Sequence, residues 1–221
     1  MKQSSVTMSD IKTIEPNKHV LVCGMTGTGK SFLCENYLRT YKYVVKLDTK
    51  DETGERRAEG KSPWTGLKEG KDFTVCTHLD ELDDCDTDKI IFVPDFDEQN
   101  EDTYNRFFRW IFLRGNCILW IDELMSIGSV NSYPRELGRI MTQGRSKGVG
   151  VWACTQRPSG IPACVPANAS YFFVFDMSLP QDRKKLVDTT GMLQMNEYPT
   201  GYNFWYYKMG DRDCVKARLK T

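Results

Sequence analysis

A chain of 221 residues, 40% hydrophobic and 27% charged, suits one α/β domain and is apolar enough to build its own core without staples. Thirty basic side chains balance thirty acidic ones, so the total charge neither supports nor excludes DNA as a partner; a ring that holds DNA only in its channel can be neutral overall. Eight cysteines without a C-x-x-C pair and two histidines, His19 and His78, argue against zinc, and no apolar run reaches the length of a membrane span.

Residues 1–17 are polar and carry no signal-peptide pattern, so they are expected to form an N-terminal arm, with residues 18–221 as one domain in a reducing cytoplasm. Residues 19–23 are an apolar run ending at a glycine, the pattern of a buried strand. Residues 30–40 follow with helical spacing, Phe32, Leu33, Tyr37 and Leu38 sharing one face. Residues 43–47 read as a second strand. Residues 49–71 are dense in charge and glycine, without periodicity, and are predicted to be a loop or flexible insertion. Residues 73–77 and 89–93 read as short strands. Residues 103–113 read as a helix packed by aromatic side chains, and 117–121 as a central strand buried on both faces. A helix over 135–146, strands over 149–154 and 171–175, and a helix over 181–188 follow. Residues 202–219 alternate and break at Met209-Gly210-Asp211, which predicts a terminal hairpin. Strands alternating with helices imply a mostly parallel sheet with helices on both faces.

Gly24-Met25-Thr26-Gly27-Thr28-Gly29-Lys30-Ser31 fits G-x-x-x-x-G-K-[ST] throughout, between an apolar strand and a helical pattern. Backbone N–H groups in such a turn wrap a phosphate chain, and glycine permits the close approach. The following helix aims its N-terminal dipole at the same phosphates. Lys30 is expected to neutralise the β- and γ-phosphates of ATP and Ser31 to hold Mg²⁺; Phe32 completes the expected nucleotide contacts. The buried run 117–121 delivers Asp122 and Glu123 to the carboxyl edge of the sheet, where ligands bind in such folds. Asp122 is expected to steer the metal and Glu123 to activate the attacking water. The run 149–154 ends in Thr155-Gln156-Arg157-Pro158, and an amide at that edge can sense the γ-phosphate and relay its loss.

These three segments together resemble the FtsK–HerA superfamily of DNA-pumping ATPases, most closely the genome-packaging ATPases of double-jelly-roll viruses. The resemblance covers roughly residues 18–190. The glutamine-bearing Gln156-Arg157-Pro158 segment is its most specific part. It implies a RecA-like core of the additional-strand, catalytic-glutamate type and a pentameric or hexameric ring on double-stranded DNA. It implies contact with capsid vertex proteins, in host cytoplasm or at the virion packaging vertex. It also implies a neighbour's arginine at each ATP site; Arg145 fits that position, with Arg139 and Arg183 as alternatives. Candidate DNA contacts are Arg56, Arg57, Lys61, Lys68 and Lys71, or residues 128–132, and Trp64 is a contact or an anchoring plug. Two rival readings remain open from the residues: a small-molecule or nucleotide kinase, with 49–71 as its lid, and a non-motor phage assembly or export ATPase.

Overall fold

The structure is a computed structural model that describes residues 6–7 and 13–219. Strand β1 is Val6–Thr7 and β2 is Val20–Cys23, buried along its whole length. Helix α1, Lys30–Leu38, starts directly after Gly29. Strand β3 is Val44–Leu47. Helix α2, Glu52–Ala58, is capped by Asp51, whose side chain accepts the Gly54 N–H. Strands β4, Phe73–Cys76, and β5, Lys89–Phe92, follow. Helix α3, Glu101–Arg114, is capped by Asn100 and buries Tyr104, Phe107, Phe108, Ile111 and Phe112. Then come β6, Ile118–Ile121, α4, Arg135–Gln143, β7, Gly150–Thr155, and α5, Cys164–Asn168. Strand β8 is Tyr171–Val174 and α6 is Pro180–Thr190, with proline in the first turn where its missing N–H costs nothing. The chain closes on the expected hairpin, β9, Asn203–Lys208, and β10, Val215–Arg218.

All ten strands lie in one sheet, ordered β1-β10-β9-β8-β2-β7-β6-β3-β5-β4. From β8 to β4 every neighbouring pair is parallel, and β9 runs antiparallel to both β8 and β10. Alternate residues of each strand feed opposite cores. Leu21, Leu119 and Ile121 join the cluster roofed by α3, α4 and α6, while Val20, Val22, Ile118 and Trp120 join the cluster roofed by α1. That two-sided burial explains why the strands read as continuous apolar runs.

Residues 49–71 differ from the expected flexible insertion. They hold α2 and a buried Trp64, whose indole N–H donates to the Glu35 carbonyl at 3.2 Å and whose ring meets Trp120 edge-on at 5.5 Å. Trp64 is thus the anchoring plug of the two roles considered. A seven-residue helix interrupted by Gly54 is too short to show a helical period, so its existence is decided by the Asp51 cap and by Trp64 packing. The five-residue α5 escapes sequence reading for the same reason. The expected arm lies largely outside the described residues. Of it, Val6–Thr7 pairs with β10, and Ile14 is buried, its carbonyl accepting the Tyr41 hydroxyl at 2.6 Å. No helix among the described residues is long and apolar enough to cross a membrane.

Candidate nucleotide site

The insertion of β7 between β2 and β6 brings three carboxyl ends side by side: the glycine loop after β2, Asp122–Glu123 after β6, and Thr155–Gln156 at the end of β7. The loop is pinned on both flanks, Gly24 N–H donating to the Thr155 carbonyl at 3.1 Å and Met25 N–H to the Asp176 carbonyl at 2.9 Å. Gly24 has φ 155°, and a Cβ there would stand 2.6 Å from that of Phe175. Gly29 has φ 103°, and its Cβ would stand 2.4 Å from a Leu219 methyl. Only glycine meets both demands. Lys30 folds across the loop, its ammonium donating to the Met25 carbonyl at 2.9 Å. A cavity of about 310 Å³ opens over this turn, and Lys30, Ser31, Phe32, Asp122, Gln156 and Tyr202 are among its walls.

Asp122 and Glu123 are 4% and 5% exposed. The Asp122 N–H donates to the Leu47 carbonyl at 3.2 Å, tying the end of β6 to β3. Burial lifts the Asp122 carboxyl above its ordinary value; the nearby Lys46 ammonium opposes that rise and Asp48 adds to it. Glu123 Oε2 accepts from Lys50 Nζ at 3.0 Å and from Gln156 Nε2 at 3.2 Å. Its Oε1 is buried and bonded to no protein group. The Gln156 carbonyl oxygen accepts from Thr26 Oγ1 at 3.1 Å. A continuous polar chain therefore runs from the phosphate loop through Gln156 to Glu123 and Lys50. One carboxylate oxygen is clamped and the other has no protein partner.

Lys50 is a site residue that sequence reasoning missed. It stands three residues beyond β3, and only the sheet order shows that β3 lies beside β6. Below it, Lys46 is 1% exposed and pairs with Asp48 at 3.8 Å and Glu52 at 3.9 Å. Asp48 accepts from the Thr53 hydroxyl at 2.7 Å and from the N–H groups of Thr53, Glu52 and Lys50. A lysine at the third position of an apolar strand was the available signal. Arg157 and Ser159 are tethers: Arg157 Nε donates to Asp182 at 2.8 Å, and the Ser159 hydroxyl and N–H donate to its other oxygen at 2.6 and 3.0 Å. Asp182 is buried in the first turn of α6, so the segment carrying Gln156 is bonded directly to that helix.

The arginines separate clearly. Arg145 sits in the turn Gly144–Lys147 before β7, at the amino edge of the parallel strands and thus across the sheet from the chain's own phosphate loop. It is exposed, donating to the Asn168 carbonyl at 2.6 Å and the Ser170 hydroxyl at 2.8 Å. Arg139 lies over the Phe112 ring at 4.0 Å and pairs with Glu136 at 3.2 Å. Arg183 is buried, donating to the Met177 carbonyl and to the Tyr198 hydroxyl at 2.6 Å, and its burial sets it apart from exposed Arg145. Of the expected DNA contacts, Arg56 is bonded to buried Glu35 at 2.6 Å, Arg57 pairs with Glu69, and Lys61 pairs with Glu59 at 2.7 Å. Arg56 is half-buried and so braces α2 against Glu35 of α1. Lys68 and Lys71 are exposed, and so are residues 129–132.

The sheet order, the glycine loop and the acidic strand end define a P-loop NTPase fold, with β7 inserted between β2 and β6. Among solved structures the chain is similar to the genome packaging NTPase B204 from Sulfolobus turreted icosahedral virus 2 in complex with ATP-gammaS. That match has a TM-score of 0.76 at 15% identity, covering 94% of this chain and 100% of that one. The chain is also similar to VirB4 of Thermoanaerobacter pseudethanolicus, with a TM-score of 0.62 at 10% identity over 92% of this chain and 89% of that one. The bacterial conjugative coupling protein TrwBdeltaN70 gives a TM-score of 0.61 at 13% identity, covering 100% of this chain and 89% of that one. No protein-family model and no curated protein sequence matches the chain.

Proposed function

We propose that this chain is an ATP-hydrolysing motor that moves double-stranded viral DNA into a preformed capsid. The observation that carries the hydrolase part is Glu123: one oxygen is held by Gln156 and Lys50, which with Lys30, Ser31 and Asp122 wall the cavity, and the other oxygen has no protein partner. An acid so placed takes a proton from water as water attacks the γ-phosphate. Ser31 and Asp122 offer the oxygen donors that suit Mg²⁺. An ion held by Ser31 and Asp122 would take its other ligands from nucleotide oxygens and water. That ion supplies charge neutralisation on the phosphates.

The packaging part draws on the likeness to B204 and on the direct tether from Gln156 through Arg157 and Asp182 to α6, a route by which γ-phosphate loss reaches the rest of the subunit. A kinase needs a mobile lid, and the packing of Trp64 and α2 leaves residues 49–71 poorly suited to that role. Duplex DNA is expected to stimulate ATP hydrolysis, with the stimulation falling steeply between about 50 and 200 mM salt because phosphate contacts release counterions. Steady-state rates across that range, with and without duplex DNA, check this; stimulation by a nucleoside or metabolite instead of DNA would refute the motor.

Arg145 is proposed as the finger that one subunit lends to its neighbour in a ring of five or six, since it stands across the sheet from its own phosphate loop. Arg145→Ala and Lys30→Ala subunits are each expected to be inactive alone. Mixed in equal amounts, about a quarter of head-to-tail interfaces carry both native groups, and hydrolysis recovers to a comparable fraction. Mixtures that stay inactive speak against action in trans.

A further inference from the structure

We infer that the base of the bound nucleotide lies against Tyr202, held by stacking and apolar contact, so that the enzyme discriminates little between purine triphosphates. The inference rests on the nucleotide reading above and names a residue that neither the motifs nor the comparisons single out. Sheet order sets the direction. Asp122, Glu123 and Gln156, which mark the γ-phosphate end, belong to β6 and β7 on one side of β2. The base must therefore extend toward the other side, where β8, β9 and β10 lie. Two residues of that side wall the cavity, Tyr202 and Leu219.

They sit directly on the phosphate loop. From the position a Cβ on Gly29 would take, a Leu219 methyl is 2.4 Å away and a Tyr202 ring carbon 3.6 Å. The Leu219 N–H donates to the Tyr202 carbonyl at 3.0 Å, so closing the hairpin builds the two as one surface. Tyr202 is 44% exposed, an aromatic ring left half uncovered at the end of a polar cavity. Neighbouring Asn203 turns its amide away, to the Thr200 carbonyl at 2.6 Å. On this side the described cavity walls thus offer a ring face, a methyl group and one phenol hydroxyl, with no carboxylate or amide to read a base edge. Ring faces accept any base, because every base has a π-face; discrimination requires hydrogen bonds to the edge.

The test uses the full chain and reads steady-state kinetics for ATP and GTP, with inorganic tripolyphosphate binding as a probe that has no base. The expected result is a KM for GTP within about tenfold of that for ATP. Tyr202→Ala is expected to raise both KM values by about tenfold with kcat nearly unchanged, as for loss of a contact made equally in ground and transition states. Tyr202→Phe keeps the parent KM, and tripolyphosphate affinity is the same in all three proteins. A hundredfold preference for one base, or an unchanged KM in Tyr202→Ala, overturns the inference and leaves the ATPase standing. A parallel loss of tripolyphosphate affinity in Tyr202→Ala also overturns it, by showing that the residue merely supports the loop. A parent protein that binds neither nucleotide nor tripolyphosphate removes the nucleotide reading itself.

Discussion

Replacing Glu123 by Gln is expected to lower kcat for ATP hydrolysis by about 10²- to 10⁴-fold, the usual worth of a positioned general base, while nucleotide binding persists. The two side chains have the same size, so the packing around the end of β6 survives. What disappears is the acceptor: the buried, unbonded oxygen of Glu123 has no basic counterpart in an amide. Lys50, which donates to Glu123 at 3.0 Å, loses a charged partner but lies at the cavity wall, where a nucleotide phosphate can replace it. Single-turnover hydrolysis and a nucleotide titration on the same variant separate the two effects. A variant that turns over at the parent rate would exclude Glu123 as the base.

Asp48→Ala is expected to destabilise the fold by about 3–5 kcal/mol, the typical cost of removing one partner of a buried ion pair. Lys46 would be left 1% exposed, with Glu52 at 3.9 Å, the nearby Asp122 carboxyl and the Trp120 ring at 4.8 Å to answer its charge. The N–H groups of Thr53 and Glu52 and the Thr53 hydroxyl would lose their acceptor as well. Denaturant unfolding of the parent and variant measures the difference; a shift under about 1 kcal/mol would show that the pair contributes little net stability. The pH dependence has a definite sign. Burial alone would raise the Asp48 carboxyl, but the Lys46 charge and the bonds from Thr53 and Glu52 outweigh it and hold the group below its ordinary value. Its contribution is therefore present above the unfolded carboxylate pKa, about 4, and is lost as pH falls through the folded value. Asp122 has the opposite sign, since burial raises it: the fold disfavours its ionised form, which is the form a cation would stabilise.

Much of the site was legible before any fold. Residues 24–31 spell a phosphate loop because wrapping a phosphate chain demands glycine at fixed spacing, and an apolar run ending in Asp122–Glu123 announces acids at a strand end. The terminal hairpin was equally legible, because Met209-Gly210-Asp211 breaks an alternating pattern over a short span. Residues 49–71 were not. Charge and glycine masked a seven-residue helix, and Trp64, read in isolation, was either a contact or a plug until Glu35 and Trp120 closed around it. The same limit applies to arginines, since exposed Arg145 and buried Arg183 look alike as letters.

By itself, then, the sequence determined the local chemistry: which turn can cradle phosphates, which strand ends carry acids, where the chain reverses. These depend on neighbours a few residues apart. Tertiary structure alone decided that β7 lies between β2 and β6, so that Gln156 reaches Glu123 across 33 residues, that Lys50 clamps the same carboxylate across 73, and that Tyr202 and Leu219 meet the loop at Gly29. The reason is physical: strand order is set by how whole apolar faces bury against one another, and no local pattern of residues encodes which strand will be the neighbour of which.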